Sequence, residues 1–202
     1  MKIEAVVFDI GNVLLKFDYF VAAHQLMAKN GLAELPERGL VVAAKEALEG
    51  GKIDRAEFLR QVRPHFGDHS GSDAEFLAIW ENIFEENAPM TAIAARLGSR
   101  MPTYLLSNIS CIHHDFIFRT YPVFGTFHGG VFSYKAGALK PSEAIYRTAI
   151  KELEIDPRKT LFIDDLSENI AAAEQLGFHG ICYDYREHER AAAAMREFEL
   201  PV

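Results

Sequence analysis

The stretch Ile3-Glu4-Ala5-Val6-Val7-Phe8-Asp9-Ile10-Gly11-Asn12-Val13-Leu14 decides how the rest of the chain is read. Residues 5–8 form an unbroken apolar run of strand length, the pattern of a strand buried on both faces of a parallel sheet. The run delivers one carboxylate, Asp9, to its C-terminal end, and Gly11 follows to let the chain turn away. In open α/β sheets ligands bind at that edge. A carboxylate there costs desolvation energy unless a cation or hydrogen bonds offset it. Taken alone, Asp9 reads equally well as a loop cap and as a catalyst, so its meaning rests on what else reaches the same edge.

Between Asp18 and Asn87 the chain carries four helical patterns and no strand pattern. Asp18 is placed to cap the first, which runs from Tyr19 through Leu26 and closes at Asn30-Gly31. Pro36 opens the second, through Leu40, Val41, Ala44 and Leu48, and Gly50-Gly51 stops it. Asp54-Arg55-Ala56-Glu57 reads as a capping box for the third. Ser72 or Asp73 starts the fourth, whose Phe76, Trp80 and Phe84 recur at helical spacing and are expected to form a helical core. A helical run between strand-bearing flanks predicts a separate bundle inserted after the first strand.

Strands and helices alternate afterwards. Strands are expected over 102–106, 131–133, 160–163 and 180–183, and helices over 89–97, 109–119, 142–153, 167–176 and 186–198. This alternation predicts a parallel sheet with right-handed crossovers. The boundaries follow: an α/β core from 1–15 and 88–202, a helical block over 16–87, and hinges near 16–18 and 87–90.

The composition is that of a globular chain, with 49% hydrophobic and 25% charged residues in 202. A formal net charge of −8 with no Lys/Arg-rich run argues against a nucleic-acid or anionic-membrane surface. An anionic substrate would then need a metal or a few placed cations. Two cysteines, Cys111 and Cys182, are too few for a disulfide framework and suggest a reducing compartment. No signal peptide is visible at the N-terminus and no apolar run is long enough to span a bilayer, so a cytoplasmic protein is expected.

Several expected strands end in polar residues: Asp9, Ser107-Asn108 and Asp164-Asp165, with Lys140 just before a helix opened by Pro141. A parallel sheet brings all these ends to one edge. Three carboxylates gathered there repel one another, and a hard cation such as Mg²⁺ relieves the repulsion. Asp9 can then act as a nucleophile, since carboxylates form aspartyl phosphates. Ser107 and nearby amides would hold phosphate oxygens, and Lys140 would offset charge on the nucleophile and phosphoryl group.

These residues resemble the haloacid dehalogenase-like hydrolases. Phe8-Asp9-Ile10-Gly11-Asn12-Val13-Leu14 resembles the family's first motif, Leu106-Ser107-Asn108 the second, Gly137-Ala138-Leu139-Lys140-Pro141 the third and Ile163-Asp164-Asp165-Leu166-Ser167-Glu168-Asn169 the fourth. The resemblance implies a three-layer Rossmann-like parallel core with an all-helical cap of the C1 type. It also implies an Mg²⁺-dependent phosphatase acting on a small phosphorylated metabolite, and members with a Phe-Asp-x-Gly-Asn-Val motif resemble sugar-phosphate phosphatases. The implied roles are Asp9 as nucleophile, Lys140 as its catalytic partner, and Ser107, Asn108 and Lys140 as phosphate binders. The implied metal ligands are Asp9, the Gly11 carbonyl, Asp164 and Asp165, with Asp165 favoured as direct ligand and Asp164 close by.

One position departs from the pattern. Most phosphatases of the family carry a second Asp two residues after the nucleophile, which protonates the leaving oxygen, and here that position is Gly11. His113, His114 and His24 are candidates to replace it, each weighed against a packed or surface histidine, and Asn12 against a turn role. Two other functions compete. A dehalogenase would use Asp9 on carbon without metal, against which the paired acids Asp164-Asp165 argue. A phosphate-binding or interaction protein with little turnover is suggested by Gly11 alone.

Overall fold

Strand β1 (Ala5–Phe8) sends Val6 and Phe8 into one apolar cluster and Ala5 and Val7 into the other, so both faces of its sheet are covered. The computed structural model describes residues 2–33, 38–67 and 71–202. After β1 come β2 (Leu15–Phe17), α1 (Tyr19–Asn30), α2 (Arg38–Glu49), α3 (Arg55–Val62), α4 (Asp73–Trp80) and β3 (Phe84–Glu86). The chain continues through α5 (Ala88–Gly98), β4 (Thr103–Ser107), α6 (Cys111–Thr120), β5 (Gly130–Phe132), α7 (Ser133–Ala136) and α8 (Glu143–Glu152). It ends with β6 (Thr160–Asp164), α9 (Ser167–Gln175), β7 (His179–Cys182) and α10 (His188–Glu197).

The main sheet has the order β5-β4-β1-β6-β7 with every pairing parallel. Phe8 is in register with Leu105 on one side and Ile163 on the other, which levels the C-terminal ends of the three central strands. Met90, Ile93 and Leu97 of α5, Ile117 of α6 and Met195 of α10 cover one face. Ile145 and Tyr146 of α8 and Ile170 of α9 cover the other. The fold is therefore a three-layer Rossmann-like core, and a helical cap is inserted after its first strand. Among the described residues no helix is long and apolar enough to cross a membrane.

The inserted helices have their own core, built on Leu26, Leu48, Phe58, Phe76 and Trp80. Their ends follow the sequence signals. The Asp18 carboxylate accepts from Phe20 N at 2.8 Å, Asp54 from Glu57 N at 2.8 Å, and Ser72 forms a reciprocal capping box with Glu75. Gly31 closes α1 in the left-handed region, with φ +65°. Pro36, expected to open the second helix, lies outside the described residues.

Two short elements differ from expectation. Helix α4 stops at Trp80, and Phe84 belongs instead to β3, which pairs antiparallel with β2 (Phe17↔Phe84, Leu15↔Glu86). Three residues are too few to show an alternating pattern, so cross-strand pairing alone reveals this ribbon. Strand β2 straddles the expected boundary at 15/16 and β3 ends just short of the one at 87/88, and no described strand of the main sheet falls within 16–87. The strand expected over 131–133 ends at Phe132, because Ser133 begins the single helical turn of α7.

Ser133 joins the insertion to the core. Its buried Oγ donates to the Glu49 carbonyl at 2.6 Å, at the end of α2, and accepts from Ile109 N at 2.9 Å. Ser133→Ala leaves both groups without that partner and is expected to cost about 1–3 kcal/mol. Urea denaturation should show this as a lower midpoint at unchanged slope.

Candidate active site

The C-terminal ends of β1, β4 and β6 open into a cleft of about 300 Å³ lined by Asp9, Gly11, Ser107, Asn108, Lys140 and Asp165. The Lys140 ammonium organises it. Its side chain is 1% exposed, and Nζ lies 2.9 Å from Asp9 Oδ1, 2.6 Å from Asp164 Oδ2 and 3.0 Å from the Leu106 carbonyl. Asn108 fixes the lysine's main chain, donating from Nδ2 to Lys140 O at 2.9 Å and accepting from Lys140 N at 2.8 Å. Its side chain is thus committed to the lysine. Ser107, buried at the end of β4, has no described partner on its hydroxyl.

The acids are held with equal definition. Asp164 is fully buried and uses both oxygens: Oδ2 takes Lys140, and Oδ1 accepts from Leu166 N at 2.9 Å and Asn169 Nδ2 at 2.8 Å. Asp165 accepts from Asn12 Nδ2 at 2.9 Å on Oδ2, which leaves Oδ1 over. Asn12 makes this bond from a left-handed turn at φ +54°, a conformation that asparagine tolerates. Burial pushes the Asp9 carboxyl up to about 7, with Asp164 and Asp165 adding to the rise and Lys140 opposing it. Burial also raises Asp165, against the pull of the Asn12 hydrogen bond. For Lys140, burial favours the neutral amine, but Asp9 and Asp164 outweigh it and the net shift is upward.

The donor set suits a hard divalent cation. One oxygen from each of Asp9, Asp164 and Asp165 can be chosen so that all lie within 4.8 Å of one another. Asp9 Oδ1 is buried against the Lys140 ammonium at 2.9 Å. An all-oxygen set of three carboxylates matches Mg²⁺ chemistry.

Every expected site residue except Asp164, which lies behind Lys140, lines the one cleft. Gly11 lines it too, and a Cβ there would stand 2.7 Å from Phe17 Cε1, so the ring of Phe17 occupies the place of a side chain. The histidines do not fill that gap. His113 borders the cleft, but Nδ1 lies 3.3 Å from Ser110 Oγ and Nε2 3.2 Å from the Trp80 carbonyl. Burial pushes it down to about 4, which leaves a neutral ring with both nitrogens engaged. His114 packs against Phe118 and Phe132, and His24 stacks on Phe20 on the exposed side of α1. The sequence reading missed Tyr19, Lys45 and Glu49, which line the same cleft from α1 and α2. Lys45 and Glu49 sit at i,i+4 on a helix, a spacing that ordinarily marks a solvated pair.

A family model described as haloacid dehalogenase-like hydrolase matches residues 3–177. The chain belongs to that family. It is therefore a hydrolase, as the four motifs and their order imply. It is 30% identical over 194 residues to a D-ribitol-5-phosphate phosphatase of Bacteroides thetaiotaomicron, covering 87% of this chain and 89% of that one. It is 24% identical over 181 residues to a sesquiterpene phosphatase of Aspergillus oryzae, covering 88% of each. A family enzyme from B. thetaiotaomicron, solved in complex with magnesium and inorganic phosphate, superposes with a TM-score of 0.81 at 25% identity, covering 92% of this chain and 96% of that one.

Loss of Lys140 exposes the electrostatics of the site. Asp9, already raised to about 7, would lose its cation and hold its proton over a wider range. The native state then binds more protons than the unfolded chain between about pH 4 and 7, so stability falls as pH rises. Lys140→Met is expected to cost about 3–5 kcal/mol at pH 7 by urea unfolding, and wild type and variant should both gain stability on going to pH 5 as Asp9 takes up its proton.

Proposed function

We propose that this chain is an Mg²⁺-dependent phosphomonoesterase for a small phosphorylated metabolite of the sugar or polyol type, working through an aspartyl phosphate on Asp9. The observation that carries the reading is the Asp9 carboxylate itself. It is buried beside the Lys140 ammonium, and one of its oxygens lies within 4.8 Å of an oxygen of Asp164 and one of Asp165. The names of the phosphatase relatives and the magnesium and phosphate complex of a family member support the same reading.

In this reading an Asp9 oxygen attacks phosphorus, the bond to the leaving oxygen breaks, and that oxygen takes its proton from water to depart as the alcohol. Water then attacks the aspartyl phosphate, the phosphorus–Asp9 bond breaks, and phosphate and the free carboxylate are regenerated. The Ser107 hydroxyl and the Asn108 main-chain amide bind phosphoryl oxygens. Lys140 neutralises charge on Asp9 throughout. Asp9, Asp165 and the Gly11 carbonyl, with Asp164 behind them, would hold Mg²⁺, which would supply charge stabilisation to the phosphoryl oxygens. Asn12 fixes the orientation of Asp165, the part an outer-shell partner plays.

Residues 16–87 act as a cap on the core of 1–15 and 88–202, hinged at the β2–β3 ribbon, and closure excludes water from the cleft. Two free cysteines, Cys111 and Cys182, accord with a cytoplasmic setting. A second reading, phosphate binding with little turnover, draws on the space at Gly11 that Phe17 fills.

Phosphate release from a panel of phosphomonoesters, with Mg²⁺ and after chelation, tests the proposal. Activity should vanish with EDTA and return with Mg²⁺, Asp9→Asn should be inactive, and labelled phosphate should appear on Asp9. Unchanged turnover in chelated buffer would refute the metal requirement, and absence of label would favour the binding protein. Asn12→Gly keeps the left-handed turn while removing the hold on Asp165. It should weaken Mg²⁺ affinity by about 10–100-fold, read by titrating activity with the metal.

A further inference from the structure

The wall of the cleft contributed by the insertion carries a polar cluster, buried at Glu49 and half-buried at Tyr19 and Lys45, that the four motifs do not explain. Glu49, the last residue of α2, is 8% exposed. Its Oε1 accepts from Tyr19 Oη at 3.1 Å and from Lys45 Nζ at 3.1 Å, and its Oε2 from Lys45 Nζ at 2.9 Å. The Lys45 ammonium also lies 5.0 Å from the centroid of the Tyr19 ring. Burial, with Glu49 adding to it, raises the Tyr19 phenol well above its ordinary range, so its hydroxyl remains a donor.

Such a cluster is an expensive way to stabilise a helix. Exposed i,i+4 pairs contribute about 0.3–0.5 kcal/mol, and a buried pair sets its attraction against the loss of hydration on both ions. The cluster is also held at a fixed place relative to the phosphate end. Ser133 Oγ bonds the Glu49 carbonyl and the amide of Ile109, two residues beyond Ser107. A group inventory shows what the cluster can still bind. Lys45 has three N–H groups and directs its described bonds to the two Glu49 oxygens, so one donor remains. The Tyr19 oxygen has given its proton and keeps its lone pairs, and Glu49 Oε2 retains acceptor capacity. One donor beside two acceptors complements hydroxyl groups, each of which both donates and accepts.

We propose that Tyr19, Lys45 and Glu49 are the specificity-determining residues of this site, and that they bind the hydroxyls of a polyol or sugar carried by the leaving group. This rests on the phosphatase reading above and names the part of the substrate that the insertion recognises. Phe17 and Phe84, which also line the cleft, pack against the carbon chain. A rival destination for the leaving group lies next door. An apolar chamber of about 380 Å³, walled by Phe20, Val42, Phe66 and Trp80, shares Phe17, Tyr19 and Lys45 with the cleft and would suit a chain without hydroxyls.

The test compares D-ribitol 5-phosphate with n-pentyl phosphate, which has the same five-carbon chain and primary ester oxygen but no hydroxyls. A site built to bond substrate hydroxyls discriminates strongly against the analogue lacking them, because its own polar groups are left unpaired. The wild-type chain should prefer ribitol 5-phosphate by roughly 100-fold or more in kcat/KM. Glu49→Gln, Lys45→Met and Tyr19→Phe should each reduce that preference at least about tenfold, mainly through KM for the polyol. Three variants guard against one failing to fold, and circular dichroism checks each.

Equal losses on both substrates would mean a structural or phosphate-binding role and overturn the proposal. A wild-type preference for pentyl phosphate would overturn it in favour of the apolar chamber. Acetyl phosphate serves as the control. If it is hydrolysed in an Mg²⁺-dependent way while the polyol preference is absent, the hydroxyl reading fails and the phosphatase reading stands. If none of the three phosphates is hydrolysed, both fail.

Discussion

Lys140 is buried between Asp9 and Asp164 with its ammonium 2.9 and 2.6 Å from their oxygens, and the rest of the site is arranged around that contact. Two buried carboxylates at this spacing would repel each other strongly in a medium of low dielectric constant. One ammonium leaves the trio a single net negative charge, with Asp165 adding a second at the mouth. Each neighbouring bond serves this arrangement. Asn108 holds the lysine's main chain, the Leu106 carbonyl takes a third ammonium proton, and Leu166 and Asn169 saturate Asp164. The cleft edge that remains is lined by Asp9 and Asp165, the two of these acids that face its open space. Burial raises the proton affinity of Asp9 most, and the neighbouring acids add to it against the pull of Lys140.

The features that were legible in the sequence are those that one local segment specifies. Ala5–Phe8 and Thr160–Asp164 read as strands because burial on both faces makes the run continuously apolar. Asp9, Ser107 and Asp164-Asp165 read as a site because each interrupts such a run at its end. Asp18, Asp54 and Ser72 read as caps because a free amide lies two or three residues ahead. The β2–β3 ribbon was illegible, since each strand is three residues long and its partner lies far along the chain, 69 positions away for the Lys16–Glu85 pair that bridges it. Glu49 was illegible for another reason. A charged residue at i,i+4 from a lysine reads as solvent-facing, and only the packing of α2 against the core turns it inward. Asn108 was placed correctly at the edge, but its side-chain amide is spent on Lys140, which no local pattern foretells.

The insertion meets the core through a few buried polar bonds as well as apolar contact. Asn87, where the chain returns from the insertion, donates to the Val13 carbonyl at 2.6 Å and to Tyr183 Oη at 2.8 Å, so the returning strand is fixed to the loop after β1 and to the end of β7. Ser133 fixes the end of α2 to the loop after β4. Both anchors lie close to residues that line the cleft, so they tie its two walls together. That is what allows side chains on α1 and α2 to face groups on the central strands with defined geometry. A site split between two parts of a chain needs such pins, because a shift of about 1 Å in a reacting group is enough to lower rate by orders of magnitude.

Position 11 shows how one absent side chain changes the surroundings. Gly11 is outside the left-handed region, so its backbone would accept a side chain; the obstacle is the ring of Phe17, 2.7 Å from where a Cβ would stand. That ring comes from β2, is 37% exposed, and packs edge-on against Tyr19 at 5.5 Å and beside Phe84 at 6.3 Å. An aromatic wall therefore borders the nucleophile where a carboxylic acid would otherwise project. Its chemistry is the reverse of an acid's: it excludes water and stabilises no charge. His113, behind it, is neutral and has both nitrogens engaged, so it does not restore a proton. Since acid catalysis contributes about 10²–10⁴-fold, a site arranged this way depends the more on binding its substrate in the reactive geometry. The polar groups available for that binding, Tyr19, Lys45 and Glu49, lie on the insertion beyond the same aromatic wall. The residue missing from the first motif and the cluster gained on the helices are thus joined through one ring, Phe17, which touches the space of the former and packs on Tyr19 of the latter.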